Sequence, residues 1–149
     1  TRTVGFALTP CIIPEVGHSN FTLADGEMAM GMGIHGEPGV VTGPIKTADE
    51  LAQESLDAIL KDMPIAAGEE VCVLINGLGA TSIEELYILS GSVRKLLDGK
   101  GIKTYRTFVG EYATSMEMAG ASISICKMSG DEMKQWIDMP VHTPFYTQV

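Results

Sequence analysis

Apolar residues run along this chain in two rhythms, and the switches between them mark its elements. Residues 4–8, 27–34, 70–75, 102–109 and 121–127 hold short runs dense in Val, Ile, Leu, Met and Phe, and they predict five strands. The run 70–75 is apolar almost throughout, as a central strand should be. Elsewhere the period lengthens to that of a helix. Leu51, Ser55, Ala58 and Ile59 share a face of residues 48–61. Leu86, Leu89, Val93 and Leu96 or Leu97 share a face of residues 82–98. A short third helix is predicted over 130–138, closing before Pro140. Each helix is introduced by a hydroxyl with a glutamate three residues on: Thr47 and Glu50, Thr81 and Glu84, Ser129 and Glu132. That spacing is a capping box, in which the hydroxyl accepts a free first-turn N–H and the carboxylate reaches back. Gly99 and Gly101 end the second helix, and Arg94, Lys95 and Lys100 suit its negative pole. Residues 10–20 and 36–46 are rich in Gly and Pro and predict loops. The order ββαβαββα interleaves helices with strands. It predicts an α/β fold, a two-layer sandwich with a mixed β-sheet covered by helices.

Composition narrows the class. The 149 residues make one domain, and 45% hydrophobic with 19% charged residues is a globular balance. A net charge of −9, with the cations scattered, argues against nucleic acid and anionic membrane surfaces as partners. No apolar run approaches the roughly 20 residues that cross a bilayer. Cys11, Cys72 and Cys126 are far apart, odd in number and outside any C-x-x-C pattern, which speaks against a disulfide framework or structural zinc. Cys72 and Cys126 fall inside apolar runs, as reduced packing thiols do, and a cytoplasmic setting is expected. The chain opens on strand-like sequence, Thr1-Arg2-Thr3-Val4, without a methionine, and reads as a piece of something longer.

Candidate chemistry concentrates in Gly31-Met32-Gly33-Ile34-His35-Gly36-Glu37-Pro38-Gly39. Four glycines leave the imidazole of His35 uncrowded and let backbone approach a ligand. Pro38 restricts Glu37 and fixes the turn behind it. A histidine so held can be a ligand, a base or a nucleophile, and the same composition also makes an inert surface turn. A second segment, Asn76-Gly77-Leu78-Gly79-Ala80-Thr81, joins a buried strand to a helix. It reads either as a tight turn or as an anion cradle at a helix N-terminus, and it lacks the third glycine of a dinucleotide fingerprint. Residues 110–120 are longer than a hairpin turn and rich in hydrogen-bonding side chains. They face an interface or pack on their own sheet. His142 lies in a terminal arm between Pro140 and Pro144, expected to dock on the domain, and His18 has no evident partner. Three histidines in such different settings do not make a metal site by spacing.

Together these segments resemble the dihydroxyacetone kinase family, in its substrate-binding part. The match is carried by Gly5-Phe6-Ala7-Leu8-Thr9-Pro10-Cys11, by Met32 to Gly39, by Asn76 to Thr81, by Tyr112-Ala113-Thr114-Ser115-Met116-Glu117-Met118-Ala119-Gly120 and by Pro140 to Pro144. The histidine block is the specific one. The resemblance implies that residues 1–149 are the C-terminal domain of the dihydroxyacetone-binding kinase subunit, with an N-terminal half of similar size absent. It implies that His35 binds the substrate carbonyl covalently as a hemiaminal, with Gly33 and Gly36 lining the substrate. Glu37 or a nearby backbone carbonyl would orient the imidazole. The family's other substrate contacts, an aspartate and a second histidine, would lie in the absent half. No cofactor is implied in this chain. ATP, or ADP with Mg, would be held by a separate nucleotide-binding subunit or domain, in some bacteria recharged by the phosphotransferase system. A homodimer is expected, and the chain alone is expected to be inactive.

Two stretches depart from the family's habit. Relatives tend to carry another acid near the end of Asp25-Gly26-Glu27-Met28-Ala29, and a bulkier residue is common at Ala121. The ketose is left open between dihydroxyacetone and four-carbon ketoses such as erythrulose. An alternative is a dihydroxyacetone-sensing regulatory paralogue without kinase activity. A third reading is a domain used mainly for dimerisation.

Overall fold

The hydrophobic alternation of the strands is resolved into a mixed sheet with two unlike faces. In the computed structural model, which describes residues 1–19, 21–33 and 39–149, six strands form one sheet. They are β1 (Arg2–Ala7), β2 (Glu27–Met30), β3 (Val41–Pro44), β4 (Glu70–Gly77), β5 (Lys103–Gly110) and β6 (Gly120–Lys127). Their order is β3-β2-β1-β6-β4-β5. Only β4 and β5 run parallel, because helix α2 (Ile83–Gly99) carries the chain back between them; the other neighbours are antiparallel. Helix α1 (Ala48–Asp62) joins β3 to β4.

One face of the sheet carries the core. Phe6, Met28, Val71, Val73, Ile75, Ala121, Ile123 and Ile125 pack against Leu51, Leu56 and Ile59 of α1 and Leu86, Leu89, Val93 and Leu97 of α2. Alternate residues point the other way and are mostly small or polar, as in Thr3 and Gly5 on β1, Ser122, Ser124 and Cys126 on β6 and Cys72 and Asn76 on β4, with Leu74 and Phe108 the apolar exceptions toward β5. Thr3 Oγ1 and Ser124 Oγ are 2.7 Å apart across β1 and β6. Helix α3 (Asp131–Asp138) is tied to the β4–β5 edge by Lys134 to Glu70 at 2.5 Å and Arg106 to Asp138 at 2.8 Å.

The expected α/β fold with a mixed sheet stands, and several local expectations are corrected. Residues 36–46 are not all loop: β3 lies within them as an edge strand, where the missing N–H of Pro44 costs little. Thr81 does not cap α2. Its hydroxyl donates to Gly120 O (2.7 Å) and accepts from Gly120 N–H (2.8 Å), so Ser82 takes over the box with Glu85. Ser129 does not cap α3, which starts one residue later behind Gly130 at φ +152° and has no side-chain cap. The box at Thr47 and Glu50 forms as predicted. On α1 the buried stripe takes in Ala52 and Leu56, while Ala58 faces solvent; on α2 it is Leu97, not Leu96, that is fully buried.

The terminal arm is a small hairpin of β7 (Val141–His142) and β8 (Thr147–Gln148). It docks as expected. Gln148 Nε2 donates to Ile137 O (2.7 Å) and Met139 O (3.0 Å), and Tyr146 meets Phe108 and Tyr112 edge to face.

Candidate functional site

The site is built where β2 ends. Gly31 has φ +77°, a conformation that favours glycine, and it turns the chain out of the sheet. Its N–H donates to Gly5 O at 2.7 Å. The Met32 side chain is then buried with Ala7, Cys11, Leu78 and Met118, while its carbonyl passes over β1. A Cβ on Gly5 would stand 2.6 Å from Met32 O, so a side chain at that strand position would push the crossing segment away. The chain thus arrives at Gly33 across the small, polar face. There Thr3, Val4, Gly5, Gly31, Met32, Gly33, Leu78 and Ser122 line a pocket of about 360 Å³.

Of the residues singled out in sequence, Gly33 lines this pocket. His35, Gly36 and Glu37 lie outside the described residues. The chain is described again from Gly39, which is seated almost as closely as Gly5. A Cβ there would lie 2.9 Å from Ala29 Cβ and from Met30 O. The Val40 N–H donates to Met30 O at 2.8 Å.

The wall beside Leu78 is the β4–α2 turn braced against residues 110–120. Asn76, 2% exposed, accepts from Tyr112 N–H (2.9 Å) and Ala113 N–H (2.8 Å) through Oδ1 and donates to Ala113 O (2.9 Å) through Nδ2. Leu78 N–H donates to Gly120 O and Ala80 N–H to Met118 O. With these donors engaged, the turn is the tight strand-to-helix connection of the two readings rather than an anion cradle. Burial pushes the Glu111 carboxyl above its usual range, and the backbone at Gly79 pulls it the other way. Gly79, at φ +122°, passes so close to the loop that a Cβ would fall 1.6 Å from Met116 O. Met116 itself sits at φ +54°, a strained setting for a side chain of its size. Residues 110–120 therefore pack on their own sheet through Met118 and Ser115, and leave Met116 and Tyr112 exposed.

His18 and His142 do not line the pocket. His18 Nδ1 is 3.1 Å from Ser19 O, and His142 Nδ1 is 3.0 Å from Thr147 Oγ1. Sequence reasoning did not single out Gly5, Thr3, Asn76, Thr81 or Ser122 as a set. The signals were a glycine inside a strand run and small polar residues at every second position of β6.

The comparisons with known proteins bear on this arrangement. The Dak1 domain matches residues 1–145. The chain belongs to the Dak1 domain family. It is 43% identical over 145 residues to the dihydroxyacetone-binding subunit DhaK of PTS-dependent dihydroxyacetone kinase 1 from Listeria innocua, covering 95% of this chain and 43% of that protein. It is 40% identical over 146 residues to a D-erythrulose kinase of Mycolicibacterium smegmatis, covering 98% of this chain and 25% of that protein. Among solved structures, the dihydroxyacetone kinase operon co-activator DhaQ superposes with a TM-score of 0.86 at 30% identity, over 93% of this chain and 43% of that one. This Dak1 domain therefore spans less than half the length of these relatives.

Proposed function

We propose that this Dak1 domain is the C-terminal part of the ketose-binding component of a dihydroxyacetone-type kinase, and that His35 captures the substrate. The observation that carries the reading is the pocket over Gly5. The segment leading into His35 crosses the polar face there, close above glycine, with Thr3 and Ser122 hydroxyls beside it. The relatives named as dihydroxyacetone- and erythrulose-handling proteins support the same class of substrate. In the proposed step a neutral ring nitrogen of His35 adds to the ketone carbon. The carbonyl electron pair moves to oxygen, which takes up a proton, and the other ring nitrogen releases its proton. The adduct is heavier by the whole ketose, with no water lost. Such an anchor fixes one hydroxyl for phosphoryl transfer and selects ketones over glycerol, which has no carbonyl. Glu37 is assigned to orient the imidazole, and Gly33 and Gly36 give the sugar room.

Nucleotide chemistry belongs in this reading to a separate subunit or domain carrying ATP, or ADP with Mg. The remaining substrate contacts belong to the part of the protein outside this chain, and the working unit is a homodimer. A cytoplasmic setting belongs to the same reading, and among the described residues no helix is long and apolar enough to cross a membrane. The test is intact-mass measurement of the complete protein with dihydroxyacetone. A ketose adduct on wild type, absent in a folded His35→Ala protein, is the expected result. Unchanged capture in that variant refutes the reading.

A second reading rests on the DhaQ superposition: the domain serves a ketose-responsive regulator that does not phosphorylate. His35 capture is common to both. Phosphoryl transfer to dihydroxyacetone with the nucleotide-binding partner supplied separates them, since only the kinase forms a phosphorylated product.

A further inference from the structure

Cys72 and Cys126 stand directly opposite each other on the antiparallel strands β4 and β6. Their place in the ladder follows from its two ends. Met128 N–H donates to Glu70 O at 2.9 Å, and Leu78 N–H donates to Gly120 O at 3.3 Å. Both are hydrogen-bonded positions, the register between them is unbroken, and every second pair shares that geometry. Cys72 and Cys126 are one of those pairs. Facing residues of this kind hold their Cα atoms about 5.5 Å apart, inside the roughly 4.4–6.8 Å that a disulfide spans.

Both thiols project from the face away from α1 and α2 and take no part in the main core. Cys72 is 7% exposed and Cys126 is half-buried. Burial pushes the Cys72 thiol up, and the nearby Cys126 thiol pushes it the same way. On its other side Cys72 is in register with Arg106 of β5. Cys11 lies elsewhere, packed with Met32, Leu78 and Met118, and does not compete.

We propose that Cys72 and Cys126 form an oxidisable dithiol that closes reversibly into a cross-strand disulfide. A low-molecular-weight disulfide serves as oxidant. The more exposed Cys126, as thiolate, attacks one of its sulfurs, forms a mixed disulfide and releases one thiolate. Cys72, deprotonated in turn, attacks the Cys126 sulfur and expels the second. The protein loses two protons and two electrons, and the small disulfide is reduced to two thiols. Hydrogen-bonded pairs keep their Cβ atoms near the wide end of about 4.5–5.5 Å, whereas a relaxed disulfide wants about 3.8 Å. The bond draws two central strands together under strain, and thiols reopen it readily. This makes it a switch and not a staple.

The test is peptide mapping of the complete, folded protein after incubation with glutathione disulfide and blocking of free thiols. The expected product is a Cys72–Cys126 linked peptide. It is reversed by dithiothreitol and replaced in Cys72→Ser by a glutathionyl adduct on Cys126. The proposal is overturned if wild-type Cys126 stops at the glutathionyl adduct, if both thiols stay free, or if the link forms only in urea. The wild-type measurement stands even if a serine variant fails to fold.

Discussion

The two faces of the sheet are made from the same strands and obey different rules. The covered face fills the space under α1 and α2 with Leu, Ile, Val, Met and Phe. The open face is set with Thr3, Gly5, Asn76, Ser122, Ser124 and two cysteines, and over Gly5 it carries the segment that leads to His35. The covered face supplies stability through area removed from water. The open face gives up that gain and gets close backbone approach, hydroxyls and room for a ligand. The difference teaches that strand alternation here divides labour, with one register devoted to holding the fold and the next carrying the segment to which the proposed capture is assigned.

The contrast can be broken most severely from the covered side. Leu86→Ala or Ile123→Ala, each at a fully buried position, should cost about 2–5 kcal/mol by urea unfolding. Ser124→Ala on the open face should cost about 1 kcal/mol or less. Equal losses would erase the distinction. Asn76→Ala comes next, because it strips partners from two loop N–H groups and one carbonyl. Tyr112 and Ala113 are exposed, so water replaces part of these bonds, and the total loss should be about 1–3 kcal/mol. Amide exchange at Tyr112 and Ala113 should accelerate in that variant more than exchange in α1.

Gly5→Ala sharpens the comparison, since its methyl would meet Met32 O at 2.6 Å, whereas Gly43 on the edge strand has nothing within 4 Å. The first should cost about 1–3 kcal/mol and weaken ketose capture in the complete protein. Gly43→Ala should leave capture unchanged and stability within about 0.5 kcal/mol. A smaller effect tests which hydroxyl caps α2. Ser82→Ala should cost about 1 kcal/mol, and Thr81→Ser, which keeps the bonds to Gly120, should cost less.

The smallest effect is one of pH. The Thr47 backbone N–H, followed by its hydroxyl, holds the Glu50 carboxyl below its usual range. A lowered folded value means that the stabilisation is complete above the pH at which the unfolded carboxyl titrates. It is lost as pH falls through the folded value. Glu50→Gln should therefore be less stable than wild type at neutral pH, with the gap closing in acid by urea midpoint.

Much of this architecture was legible because long apolar runs admit few alternatives. Strands β4, β5 and β6 and helices α1 and α2 lie within a residue or two of their predicted bounds. What escaped was decided by tertiary competition. Thr81 has the sequence of a cap, but its hydroxyl is bound to Gly120, a residue 39 positions away. Strand β3 is short and rich in Gly and Pro, and it exists because β2 offers it an edge. The His35 block was found from glycine density. Its seat on Gly5 could not be, since nothing local says which strand a departing chain will cross. The Cys72–Cys126 juxtaposition likewise needed the β4–β6 register, which two apolar runs do not specify.

The passage of Gly79 against Met116 O has a practical consequence for protein engineers. The β4–α2 connection and residues 112–120 are interlocked like key and ward, and neither can be recut alone. A chimera that imports one from a relative of different substrate preference should carry the other with it, or it will jam before it reaches the question of specificity.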